Sequence, residues 1–142
     1  MVTARTIVAA LALMPASALA QNGYSFTDAG ESMVRLPSNW NRRFYMHGNG
    51  GFAGEAPEFA SRPMIRANAL KLGFATAQTN TGHDATAEPL ATFAMSYQKR
   101  VDYAFRAVHM TAVEAKRIVG AYYARAAAYS YWDGCSTGGR QG

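Results

Sequence analysis

Tyr129-Ser130-Tyr131-Trp132-Asp133-Gly134-Cys135-Ser136-Thr137-Gly138 is a short aromatic strand pattern running straight into Gly-x-Ser-x-Gly. That spacing is the signature of a nucleophile elbow, in which a serine sits on a strained strand-to-helix turn with its hydroxyl standing above the sheet. The glycines two residues to either side have a steric cause, because side chains there would collide across so tight a turn. The chain stops six residues after Ser136. The helix that follows such an elbow is therefore expected to be missing, and the segment is expected to be the front part of an enzyme cut just past its nucleophile.

Working back from the elbow, Thr111-Ala112-Val113-Glu114 has the form of a capping box, a hydroxyl followed three residues later by a carboxylate. It predicts a helix from there to about Ala127. Ala115, Ile118 or Val119, Tyr122 and Ala126 form the apolar stripe, and Lys116, Arg117 and Arg125 fall off it. Further upstream, Asn41 to His47 has a strand-like apolar centre. It enters the glycine-rich loop His47-Gly48-Asn49-Gly50-Gly51-Phe52-Ala53-Gly54, which cannot be helix interior. A helix is predicted from about Arg62 to Leu72, capped by Ser61, with Pro63 in its first turn and Gly73 ending it. Phe74 to Thr79 alternates as a strand and Asn80 to Asp84 is a polar turn. Gln21 to about Pro37 is an irregular or short-strand lead-in. Ala85 to Arg100 has no clear pattern, and Pro89 breaks any long helix there.

Strands alternating with helices imply a mostly parallel sheet. A glycine loop after one strand and a serine elbow after a later one is the order of an α/β-hydrolase. The predicted fold class is α/β: the N-terminal part of an α/β-hydrolase fold, a mostly parallel sheet flanked by helices. In that arrangement Ser136 is the nucleophile of acyl transfer. The tetrahedral oxyanion needs fixed donors. One is the N–H of Thr137, and the other comes from the glycine loop, at Gly50 or Gly51. His47, His83 and His109 all precede Ser136, whereas the base of this fold follows its nucleophile, so none is expected to be the base. His47 is expected to shape the loop, His83 beside Asp84 to stabilise a turn, and His109 to be structural. No zinc, phosphate-loop or dinucleotide motif is present, and no metal site or cofactor is expected within this segment.

The 142 residues are 49% hydrophobic and 16% charged, with a net charge of +5. The basic residues are spread out, with only short pairs such as Arg42-Arg43 and Lys99-Arg100, and no nucleic-acid partner is expected. Arg5, the apolar run from Ile7 to Met14 and Ala18-Leu19-Ala20 have the order of a secretory signal. This predicts a signal peptide over residues 1–20, cleaved after Ala20, and a catalytic segment over 21–142. The apolar run is too short to span a bilayer, so no stable membrane anchor is expected. Export places the protein in the periplasm or outside the cell. Cys135 is the one cysteine, and in an exported chain an odd cysteine is either a buried thiol or half of a disulfide whose partner lies elsewhere.

Several blocks together resemble one family. They are Trp40-Asn41-Arg42-Arg43-Phe44, Gly50-Gly51-Phe52-Ala53-Gly54, Thr79-Asn80-Thr81-Gly82-His83-Asp84, Arg106-Ala107-Val108-His109 and Tyr131 through Gly142. The chain resembles the tannases and feruloyl esterases over nearly all of residues 21–142, and a cysteine directly before the elbow serine is the most specific feature. The resemblance implies a secreted serine esterase with a large inserted lid, acting on small aromatic esters such as those of gallate or ferulate, and in some members on terephthalate monoesters. It implies that Ser136 is the nucleophile and that Cys135 pairs with a cysteine next to the catalytic histidine. It also implies a calcium ion in the lid of many members. The triad Asp and His, the lid and any calcium ligands are expected outside this segment, which would by itself be inactive. A non-catalytic secreted remnant, or a protein that only binds aromatic esters, is the competing expectation.

Overall fold

The computed structural model describes residues 24–26 and 29–142, so the signal assigned to residues 1–20 lies outside the described residues. Strand β1 covers Tyr24–Phe26, β2 Ser32–Arg35, β3 Arg43–His47, β4 Ala75–Thr79 and β5 Tyr129–Asp133. They form one sheet in the order β1-β2-β4-β3-β5. Strand β3 is flanked by parallel neighbours on both sides, with Tyr45 opposite Thr76 on β4 and Tyr131 on β5. The β1–β2 and β2–β4 pairs are antiparallel. The sheet is therefore mixed rather than mostly parallel. The lead-in to Pro37 is the cause: β2 follows β1 through a short connection, which antiparallel strands permit and parallel strands do not.

Alternation along β3 sends Phe44 and Met46 to one face, where they are 2% exposed. Val34, Leu36, Ala75 and Ala77 join them, and a helix closes over the group with Ala115, Ile118 and Val119. Small alanines on β4 let that helix approach closely, and all five residues of β4 are buried.

The opposite face is partly covered by helix α1, Arg62–Lys71. Pro63 occupies its first turn, where a missing N–H costs nothing. Gly73 ends it at φ +82. The side chain of Ser61 makes no capping bond, so the expected cap is present in position only.

The larger difference lies in the long helical segment. It starts as α2, Tyr97–Val101, passes through a π-helical stretch at Asp102–Arg106, and continues as α3, Ala107–Tyr122. Its start is fixed by Ser96, whose hydroxyl accepts from the Lys99 N–H. Thr111 lies inside α3 and caps nothing. Its hydroxyl is buried and hydrogen-bonded to Ser32 Oγ of β2 at 2.8 Å. Glu114 pairs with Arg117 instead of reaching back to a free N–H. The helix ends at Tyr122 rather than near Ala127, and Ala126 is exposed beyond it. Ala115, Ile118 and Val119 do form the buried stripe. The π stretch lies where the helix meets the turn after β4: a Cβ on Gly82 would come within 3.0 Å of the buried Asp102 side chain. An extra residue in the helical turn widens it at that contact.

The chain does not end bare after the serine. A first helical turn, α4, covers Thr137–Gln141, so the helix expected to be missing has begun. No helix among the described residues is long and apolar enough to cross a membrane.

Candidate active site

The glycine loop and the elbow leave the C-terminal ends of adjacent strands, β3 and β5. His47 and Asp133 are register partners there, and the Gly48 N–H donates to the Asp133 carbonyl at 2.9 Å. The two segments therefore diverge from one shared rung of the sheet.

Ser136 takes φ +56 and ψ −123, a combination that side chains disfavour and that turns tolerate only when the surroundings fix it. Those surroundings are backbone on backbone. A Cβ on Gly134 would come within 3.0 Å of the Gly138 carbonyl group. This is the cross-turn collision that the glycine spacing suggested. A second contact was not legible in the motif. A Cβ on Gly48 would come within 3.0 Å of Gly138 Cα, and one on Gly138 would lie 3.1 Å from Gly48 Cα. Gly138 thus faces Gly134 within its own turn and Gly48 in the neighbouring loop. Trp132 Nε1 donates to the Gly138 carbonyl at 2.9 Å and closes the turn from below.

Side chains complete the seam between loop and elbow. Thr137 Oγ1 donates to the Gly51 carbonyl at 2.5 Å. The Asn49 N–H donates to Gln141 Oε1 at 3.0 Å. The buried Asn49 amide donates to the Thr79 carbonyl at 2.9 Å, tying the loop to the end of β4. Gly50 and Ala53 close a tight turn (Ala53 N–H to Gly50 carbonyl, 2.8 Å), with Gly51 at φ +49. Neither the Gly50 nor the Gly51 N–H is taken by an acceptor among the described residues. Ser136, Thr137, Gly50 and Gly51 are thus carried on one continuous seam, and the hydroxyl-bearing residue is exposed. Chemically, the seam presents a serine hydroxyl on a strained turn beside backbone donors with no partner of their own.

Cys135 is a free, exposed thiol. The histidines are spread apart. His47 is buried at the end of β3, with Nε2 2.8 Å from Gln78 Nε2. Burial, reinforced by Arg62 and Arg66 and opposed by Asp133, lowers its pKa to about 4. His83 is buried in the turn after β4, stacked on Phe93 at 3.9 Å, and its ring nitrogens have no hydrogen-bond partner among the described residues. Burial also pushes its pKa down. His109 is exposed on α3. No hydrogen bond joins any of the three to Ser136 among the described residues. Nor do those residues include a group of three His, Cys, Asp or Glu placed to hold a metal ion.

Four participants, Tyr45, Arg140, Gln78 and Arg66, carry no motif in the sequence. The Tyr45 hydroxyl donates to Asp133 Oδ2 at 2.8 Å, and burial together with this bond raises the phenol pKa. The Arg140 guanidinium of α4 lies over the Tyr103 ring at 5.0 Å and donates to its hydroxyl. Gln78 and Arg66 are buried under the loop. One signal was available for Arg66: Arg62 and Arg66 stand four apart on a helix, with Glu55 and Glu58 shortly before it, and both ion pairs form.

Comparison with known proteins places the chain in a family and a fold. The family model described as tannase and feruloyl esterase matches residues 31–142. Feruloyl esterase B of Aspergillus niger is 40% identical over 107 residues, covering 75% of this chain and 19% of the relative. Mono(2-hydroxyethyl) terephthalate hydrolase of Piscinibacter sakaiensis is 36% identical over 119 residues, covering 77% of this chain and 19% of the relative. The crystal structure of feruloyl esterase B from Aspergillus oryzae superposes with a TM-score of 0.66 at 34% identity, over 84% of this chain and 23% of that one. The chain thus spans about a fifth of the length of these curated relatives.

Proposed function

The chain belongs to the tannase and feruloyl esterase family, and from that premise we propose that it carries the nucleophile half of a secreted serine esterase for esters of aromatic acids. Ser136 Oγ attacks the ester carbonyl carbon while a base takes its proton. The carbonyl oxygen becomes an oxyanion and accepts from the Thr137 N–H and from Gly50 or Gly51. The bond to the alcohol breaks, and the departing oxygen takes the proton back from the base. Water then attacks the acyl-serine and releases the acid.

The observation that carries this reading is the backbone seam. Ser136 is held at φ +56 by Gly134 and Gly138, and Gly138 is packed on Gly48 at the root of the loop that bears the second donor. Each such donor is typically worth about 3 kcal/mol of barrier. Since none of the three histidines bonds to Ser136, the base comes from elsewhere. The family resemblance implies an Asp–His pair later in the sequence and a disulfide from Cys135 to a cysteine beside that histidine. The free, exposed Cys135 thiol fits such a bond. Calcium in a lid, where present, would also be held outside the described residues.

The test is Ser136→Ala in the full-length protein, assayed on methyl ferulate and methyl gallate. The expected loss of kcat is about 10⁴-fold or more. Retention of turnover would remove Ser136 as the nucleophile, and a wild type that binds these esters without turning them over would favour the non-catalytic reading.

A further inference from the structure

Beneath the glycine loop runs a chain of polar groups, leading inward from the exposed Glu58, that the ester chemistry does not touch. Glu58 accepts from Arg66 Nη2 at 2.7 and 2.8 Å. Arg66 Nη1 donates to the Pro57 carbonyl at 3.0 Å and to Gln78 Oε1 at 2.6 Å. Gln78 Nε2 lies 2.8 Å from His47 Nε2. Gln78 is 1% exposed and His47 6%, so water cannot substitute for the Arg66–Gln78 and Gln78–His47 contacts.

The directions of the bonds follow from what each group can do. A guanidinium only donates, so the Gln78 oxygen must face Arg66. The Gln78 NH₂ is then turned toward His47, and an NH₂ only donates. His47 Nε2 must therefore accept, which leaves its ring proton on Nδ1. Around this ring stand Arg62 and Arg66 from α1, Asp133 from β5 and the Tyr45 ring, whose centroid is 6.2 Å away. The two guanidiniums are themselves paired with Glu55 and Glu58, so burial of the ring, more than net charge, is what disfavours a further proton on it.

We propose that Arg66 and Gln78 are positioning residues that hold His47 as the neutral Nδ1–H tautomer and thereby keep the Gly48–Gly51 loop in one geometry. His47 is the last residue of β3, and Gly48, which follows it, is the glycine packed on the elbow. A ring locked through Gln78 fixes the root of the loop. A ring that gained a proton would have to turn away from the Gln78 NH₂ or drive that amide off Arg66. The catalytic consequence rests on the esterase reading, whereas the tautomer does not.

The experiment is ¹⁵N-imidazole NMR on the full-length protein, with Gln78→Glu as the variant. In the wild type, Nε2 of His47 should remain unprotonated and Nδ1 protonated from about pH 5 to about pH 8. In Q78E the carboxylate can only accept, so Nε2 should carry a proton at about pH 7. On methyl ferulate, Q78E should lose about tenfold in kcat with KM within about twofold, because a misplaced loop weakens stabilisation made only in the transition state. A wild-type ring protonated on Nε2, or titrating near its ordinary value, overturns the proposal even where Q78E fails to fold. A Q78E enzyme with the flipped tautomer and unchanged kcat overturns the positioning role. Failure of the serine-esterase reading would show separately, as no turnover in the wild type or as retained turnover in Ser136→Ala.

Discussion

Gly48→Ala tests whether the loop and the elbow work as one unit. The added methyl would come closer than 3.0 Å to Gly138 Cα, while ordinary contact begins at 3.4 Å. Both sides are backbone, so no flexible side chain can swing aside. The seam must open by roughly half an ångström or more for carbon atoms to reach comfortable separation. Overpacking of this kind costs about 1–3 kcal/mol of stability. The catalytic cost should be larger in relative terms, because displacements approaching an ångström at a reacting centre cost up to about 100-fold. The expected result is a fall in kcat of about 10- to 100-fold on methyl ferulate, with KM little changed. Gly51→Ala is the control. Its methyl meets nothing within 4 Å, but the residue sits at φ +49, so it carries backbone strain of about 1–2 kcal/mol without the collision. The assay is steady-state kinetics on both variants alongside urea unfolding. Should G48A keep wild-type kcat, the packing of Gly138 on the loop root is not what holds the two half-sites together.

Two further predictions concern stability. His47 titrates at about 4 in the folded protein against 6.5 in the unfolded chain. The unfolded chain thus takes up a proton as pH falls through 6.5, while the folded one does not until about 4. Stability is full above 6.5 and declines between those values by about 3 kcal/mol. His47→Gln, which keeps an acceptor that cannot titrate, should flatten that part of the pH dependence in urea midpoints; an unchanged decline would assign it to other groups. Thr111→Val should cost about 1–2 kcal/mol because it strips the buried Ser32 hydroxyl of its partner. Glu114→Ala should cost less than about 0.5 kcal/mol because that side chain has only a half-exposed arginine to lose. Equal, large losses at both positions would revive the capping box.

The sequence exposed those features that depend on neighbouring residues. Gly134 and Gly138 announce the elbow by their spacing, although only at Gly134 does the turn itself forbid a side chain; at Gly138 the neighbouring loop does. Gly73 and Pro63 mark the two ends of α1 for equally local reasons. The errors came where a distant residue decides. Thr111 and Glu114 have capping-box spacing, but Ser32, 79 residues away, holds the Thr111 hydroxyl in the helix interior. The true start at Ser96 was hidden because the π stretch at Asp102–Arg106 breaks the apolar period. Arg66 and Gln78 belong to no motif, since polar residues on a helix and a strand usually point outward. Only the fold aligns them into a row beneath His47. Antiparallel pairing of β1 and β2 leaves no motif, only two short strands, so the mixed character of the sheet is not legible in the sequence.

The seam between Thr137 and Gly51 joins residues 86 positions apart, and β5 can dock only on a β3 strand made far earlier in the chain. Closing so long a span costs conformational entropy before any contact repays it. In kinetic terms, β1, β2 and β4 can gather with α1 and β3 while β5 is still free, and the serine reaches its partner loop last. The strained turn at Ser136 would then form only on a sheet already in place to hold it, so a chain that misfolds early would never assemble a reactive hydroxyl.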